Sequence, residues 1–345
     1  MNRITQLVSA LAATAALTMS THAAMAQGKT LTVLSFGGSI DKAFQKATEG
    51  FEQKFGVTIR WVPGTTAENA AKIVATKEKP EYDVGLFDDV AAQGVSKMGL
   101  FAKIDPSVVT NYNDVRPEGK LPGQDSVPVG FYFTGLFYNV DEFKKNNWAP
   151  PTSYDDLYRP EFCKRVGFLA PTVSYPINYV VLRANFDYSK VPDAIKGLGK
   201  LKGCVPTLET SSAKLEEKIQ LGEYLIGVHG GVRVVPLSAK GVPVRFVIPK
   251  EGTNRAATVA GVIKGGNEKL AQEFMNVVLS AKAQEILMNE QYYLPVNAKV
   301  EIPKTLLDLG LPTPDLVAKS KVIDGDIVLE RRREWSRMIE RELAP

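Results

Sequence analysis

Side chains able to do covalent chemistry are scarce in this 345-residue chain, and that scarcity narrows its function first. Of two histidines, His22 falls in an N-terminal leader, which leaves His229 alone in the apolar run GVHGG. A single imidazole cannot build a histidine-rich metal site, and Cys163 and Cys204 lack the close spacing of a zinc site. Neither a G-x-S-x-G elbow nor a Walker-type phosphate loop occurs, so hydrolytic and nucleotide chemistry have no frame. What the chain offers is binding chemistry. Gly37, Gly38 and Ser39 follow an apolar run, where small residues let backbone amides approach an anion, unless the glycines make only a tight turn. Asp88 and Asp89 either face a ligand or cap the next helix. Arg233 and Arg255 each suit a two-pronged clamp on a carboxylate or phosphate, or else a place at the surface. His229 reads as a structural or cleft-lining residue. No catalytic residue, metal or cofactor is called for.

The elements that must position these groups alternate along the chain. LTVLSF (31–36) is a strand pattern, Ser39 reads as an N-cap, and Ile40, Phe44, Ala47, Phe51 and Phe55 recur at helical spacing. A strand at 57–62, a helix with Ala70, Ile73 and Val74 inward, and a strand at 82–87 complete a βαβαβ series, which predicts a parallel sheet covered by helices. A second series follows, with strands at 166–170, 204–208 and 224–230 and helices at 179–186, 193–201 and 211–222. Two extended runs, Val127–Tyr138 outward and Pro243–Pro249 back, join the blocks. This predicts an α/β protein of two lobes: 27–134 with 250–300, and 135–249, with 301–345 as a C-terminal helical tail packing on both.

Arg3, the apolar stretch from Leu7 to Met19 and Ala24-Met25-Ala26 have the order of a secretory signal peptide cleaved after Ala26; the apolar core is too short to span a bilayer. The chain is therefore expected to be exported and soluble. Its net charge of +4 is spread along the sequence, and the run Arg331–Arg333 is flanked by Glu330 and Glu334, so nucleic acid is not expected as a partner. In an oxidising compartment Cys163 and Cys204 are expected to pair, although sequence alone does not bring their Cα atoms within range.

Several ordered segments carry a likeness: LTVLSFGGSI, YDVGLFDDVAAQGVSKMGLFAKID, SVPVGFYFTGLFYN, SYDDLYRPEF, GEYLIGVHGG, GVPVRFVIPKEG, and the stretch 267–297 ending in QYYLPVN. In this order they resemble a periplasmic solute-binding protein of an ATP-binding-cassette (ABC) transporter, of the spermidine/putrescine-binding type. The resemblance implies the type II periplasmic-binding fold, with two α/β lobes, two hinge strands, one solute in the cleft, and a monomer that delivers it to an inner-membrane permease and its ATPase. A periplasmic receptor docking on a sensor would have the same sequence features.

Ligands of open α/β sheets lie beyond the carboxyl ends of the strands. Together with the resemblance, that rule selects Phe36, Gly37, Gly38, Ser39, Asp88, Thr134, Thr172, Ser174, Tyr175, Glu209, Gly230, Arg233, Arg255 and Thr258 as expected ligand-binding residues. The polyamine pattern itself is broken. Ala256-Ala257-Thr258 stands where that subfamily has Trp-x-Asp, Thr172 and Tyr175 replace its paired carboxylates, and Gly230 replaces a tryptophan. Buried ammonium groups without acids cost several kcal/mol each, so a small organic anion is the favoured solute. A polyamine, a thiamine-type cation, and a thiaminase-like enzyme using Cys163 or Cys204 as nucleophile are the alternatives.

Overall fold

The computed structural model describes residues 29–343; the expected signal peptide lies outside them. Strand β1 (Lys29–Ser35) leads through helices α1 (Gly38–Ala47) and α2 (Phe51–Phe55) to β2 (Val57–Pro63), then through α3 (Thr66–Ala75) to β3 (Val84–Asp88) and α4 (Asp89–Lys97). β1 lies between β2 and β3 and runs parallel to both, as the βαβαβ pattern predicts. The long strand β4 (Ser126–Asn139) then leaves this block. Beyond it come α5 (Val140–Lys145), β5 (Val166–Leu169), α6 (Ser174–Arg183), α7 (Val191–Gly197), β6 (Leu208–Glu209), α8 (Ser212–Gln220), β7 (Ile226–Gly230), α9 (Gly231–Ala239) and β8 (Val244–Val247). β9 (Arg255–Val262) returns to the first block, and α10 (Glu268–Val278), α11 (Ala281–Gln291), α12 (Lys304–Asp308), α13 (Pro314–Lys319) and α14 (Gly325–Leu343) complete the chain.

β4 belongs to both halves. Its first part, Ser126–Phe133, pairs antiparallel with β9, which pairs antiparallel with β3. Its second part, from Thr134, pairs antiparallel with β7 on one side and, from Leu136, with β8 on the other. β5 is parallel to β6 and β7. Each half thus has three parallel strands, and the antiparallel members are the strands that connect the halves. Two aliphatic-aromatic cores follow. One gathers Phe44, Phe87, Phe131 and Phe274 and continues through Phe137 and Phe246; the other gathers Phe143, Phe162, Tyr179, Ile195 and Trp335.

Several local expectations change. Ser39 is not the N-cap of α1. The chain enters the helix through Gly37 and Gly38, both at positive φ, and the Asp41 carboxylate accepts from the Gly37 amide (2.9 Å) and the Ser35 hydroxyl (2.9 Å). The helix read through to Phe55 breaks at Thr48–Gly50, where Gly50 is left-handed. α6 starts at Ser174 rather than 179, because Pro176 sits in the first turn, where no intrahelical N–H is needed. The strand expected over 204–208 shrinks to Leu208–Glu209.

α14 is tied to both halves. Gly325 packs against Val90 and Gln93 of α4, and Asp326 pairs with Lys97. Trp335, Ile339 and Leu343 are buried in the second core, and Arg332 donates to the Thr172 carbonyl (3.0 Å).

Cys163 and Cys204 are joined in a disulfide with Cα atoms 4.3 Å apart, so neither is a free thiol. Closing a loop of this length constrains the unfolded chain by about 4 kcal/mol. The double variant Cys163→Ser/Cys204→Ser should therefore lose about 2–4 kcal/mol in urea unfolding. An unchanged midpoint would show that the bond adds no stability.

Candidate solute cleft

The carboxyl ends of β1 and β3 face the N-termini of α6 and α9 across a gap, and this gap is a cleft of two communicating chambers. The front chamber, about 480 Å³, is lined by Phe36, Gly37, Gly38, Ser39, Asp88, Tyr132, Ser174, Tyr175, Arg233, Thr258 and Tyr293, among others. The rear chamber, about 370 Å³, lies under α14; Thr66, Asp88, Tyr132 and Ser174 border both.

The front chamber joins groups of opposite preference. α1 begins with no side chain capping its amides, so the turn at Gly38 and Ser39 presents N–H donors beside the electropositive helix end. Across the gap, Arg233 in the first turn of α9 is 49% exposed, with its guanidinium 3.9 Å from Glu216. Tyr175 lies beside it and stands edge-on to His229, with ring centroids 4.9 Å apart. Gly230 explains that placement: a Cβ there would fall 2.3 Å from the Tyr175 hydroxyl. Thr258 donates to the Tyr293 hydroxyl at 3.0 Å. Burial, above other causes, pushes the Tyr132, Tyr175 and Tyr293 hydroxyls above the usual phenol range, so all three stay neutral donors.

Asp88 and Asp89 supply the opposing charge. Asp88 does cap α4, accepting from the Ala91 amide at 2.9 Å, while also lining both chambers. Asp89 accepts from the Val90 amide at 3.0 Å and lines the rear chamber. Crowding by protein, and then the neighbouring Asp88 charge, push Asp89 up to about 7. Burial and the adjacent Asp88 charge make Asp89 a place for a proton or a cation.

Of the residues expected at the site, Phe36, Gly37, Gly38, Ser39, Asp88, Ser174, Tyr175, Arg233 and Thr258 converge on this cleft. Gly230 lies behind it as the seat of Tyr175. Thr134 lies elsewhere, buried, with its hydroxyl accepting from Asn178 (3.1 Å). Thr172 is exposed and its carbonyl is held by Arg332. Glu209 is buried with Tyr224 and Lys218 (3.3 Å). Arg255 turns away, donating to the Val317 carbonyl (2.9 Å) and covering the Phe131 ring, so it anchors the segment before α14. Sequence reasoning missed Thr66, Tyr132 and Tyr293; the QYYLPVN segment containing Tyr293, part of the family likeness, was the one available signal. His229 is fully buried, 3.5 Å from Glu216, and does not line either chamber.

The family profile described as bacterial extracellular solute-binding protein matches residues 79–311, more than half of the chain. The chain belongs to this family. It is an extracellular solute-binding protein and not an enzyme. It is 25% identical to the gamma-aminobutyric acid-binding protein of Pseudomonas aeruginosa over 330 residues, covering 90% of each chain. A solved extracellular solute-binding protein from Bordetella parapertussis matches with a TM-score of 0.78 and 25% identity, covering 92% of this chain and 99% of the other. The spermidine/putrescine-binding protein of Streptococcus pneumoniae shares the fold at a TM-score of 0.72 and 17% identity, covering 89% and 99%. The two-lobed type II periplasmic-binding architecture expected from sequence is therefore the fold of this solute-binding protein.

Two outcomes follow from the cleft. Gly230→Ala should displace the Tyr175 ring and weaken solute binding at least tenfold by calorimetry, with circular dichroism unchanged; undiminished binding would remove Tyr175 from the site. Asp89 holds a proton more tightly folded than unfolded, so its contribution to stability is present at low pH and is lost as pH rises through about 7. Asp89→Asn should thus raise the melting temperature of the solute-free protein by about 3 °C at pH 8 and by less at pH 5. An equal shift at both values would refute this account of Asp89.

Proposed function

We propose that this protein captures a small zwitterion, an ω-amino acid of the gamma-aminobutyrate type, in the periplasm and delivers it to the permease and ATPase of its importer. The single observation that supports this reading is the placement of opposite charges across one cleft: Asp88 and Asp89 at the end of β3, and Arg233 at the start of α9. A carboxylate suits the Arg233 guanidinium and the Gly38 and Ser39 amides; an ammonium suits the acid pair. The small organic anion favoured from sequence becomes, in this reading, an anion that also carries an amino group. The binding specificity of the Pseudomonas aeruginosa relative agrees with it.

The lobes of the reading are residues 27–134 with 250–300, and 135–249, the first following cleavage of the signal peptide after Ala26. A zwitterion that touches both lobes stabilises the closed arrangement by its differential affinity, and the closed monomer is the form that docks on the permease. The ammonium competes with the Asp89 proton, so binding should strengthen as pH rises from 6 to 8.

Calorimetric titration with gamma-aminobutyrate, succinate and putrescine tests the reading. Gamma-aminobutyrate should bind best, and Arg233→Gln should weaken it by about 2 kcal/mol, roughly thirtyfold. Tight putrescine binding with no response to gamma-aminobutyrate would overturn it, as would a preference for succinate.

A further inference from the structure

The rear chamber, about 370 Å³, adjoins the front one, and its wall is not inert. Asp88, Tyr132 and Ser174 form a shared threshold, so a solute held in the front chamber by Arg233 can pass its other end through. Beyond the threshold the walls are largely apolar, with Ile177, Ala256, Val328 and Leu329 among them. Polar side chains interrupt this apolar surround: Thr65, Asn178 and Arg332 at its edges, and two that bear on a ligand. One is Asp89, which lines this chamber and not the front one. The other is Asn254, which is 2% exposed and whose side-chain oxygen has no hydrogen-bond partner. A buried amide oxygen left unpaired costs about 1–3 kcal/mol. A donor carried in by a solute would recover that cost.

We propose that the rear chamber is a second subsite of the same cleft, and that the cognate solute is a longer zwitterion than a four-carbon ω-amino acid. Its carboxylate sits at Arg233, its methylene chain crosses the threshold at Tyr132, and its ammonium ends between Asp89 and the Asn254 amide. The inference rests on the zwitterion reading and adds the solute's length. It also gives α14 a part in recognition, since Val328, Leu329 and Arg332 form the roof of this chamber.

A homologous series tests it by titration calorimetry: 3-aminopropanoate, 4-aminobutanoate, 5-aminopentanoate, 6-aminohexanoate and 8-aminooctanoate. Affinity should rise at least tenfold from the four-carbon to the six-carbon member. Leu329 is 57% exposed, so Leu329→Trp alters the roof without disturbing the core. This variant should weaken the six-carbon ligand at least fivefold and leave the four-carbon ligand within twofold. Asn254→Ala, with folding checked by circular dichroism, should act in the same selective way. An affinity maximum at three or four carbons, or variants that weaken every member equally, would overturn the second subsite and leave the zwitterion reading intact. Failure of the whole series to bind would overturn the zwitterion reading itself, and this inference with it.

Discussion

A single strand shared by two sheets holds this architecture together. β4 donates and accepts along Ser126–Phe133 in one half and along Thr134–Asn139 in the other. Its pairing partner changes between Phe133 and Thr134, from β9 to β7, so this point is where the two halves meet in the backbone. The polar groups around that point are satisfied internally: the Thr134 carbonyl accepts from the Thr253 hydroxyl at 2.7 Å, and its own hydroxyl accepts from Asn178. Thr134 therefore has its polar groups taken up at the crossing and lines neither chamber. The gap exists because the crossing strands keep the carboxyl ends of two parallel sheets facing one another.

The cleft is electrostatically unfinished. Asp89 is partly buried beside the charge of Asp88, Arg233 is half exposed with Glu216 only at 3.9 Å, and the oxygen of Asn254 lacks a partner. In a purely structural setting such groups would be selected against, since each destabilises the folded state. In the proposed reading they are the charge pattern that a solute completes. The second half is built to keep Arg233 in place: Glu216 and the buried His229 stand behind it, and Tyr175 lies flat over Gly230 only because that residue has no side chain. Burial, outweighing Glu216, depresses the His229 imidazole below its usual range, so it stays neutral and adds no charge to the site.

Much of this was legible in the sequence. Alternating apolar runs gave the strands of both halves, because the central strands are buried on both faces and read as unbroken hydrophobic segments. Strand ends then pointed to Phe36–Ser39, Asp88, Ser174, Tyr175 and Arg233 by topology alone. Local continuity was a poorer guide where a single residue decides the backbone: Gly50 divides one amphipathic helix in two, and Pro176 sits in the first turn of α6, ahead of the start expected at 179. Arg255 was read as a clamp from its distance to the return crossing, yet the carbonyls of 317 and 320 lie closer and capture it. The rear chamber was invisible because it is closed by α14, whose position depends on contacts with α4 and α7 far away in sequence.

That C-terminal helix makes the two mouths of the molecule unequal. Behind Tyr132 the Lys97–Asp326 pair ties α14 to the first half and the Arg332 guanidinium ties it to the second. The back of the cleft is thus bounded by a helix that takes no part in either sheet, and any molecule that reaches the space behind Tyr132 meets the side chains of Val328, Leu329 and Arg332.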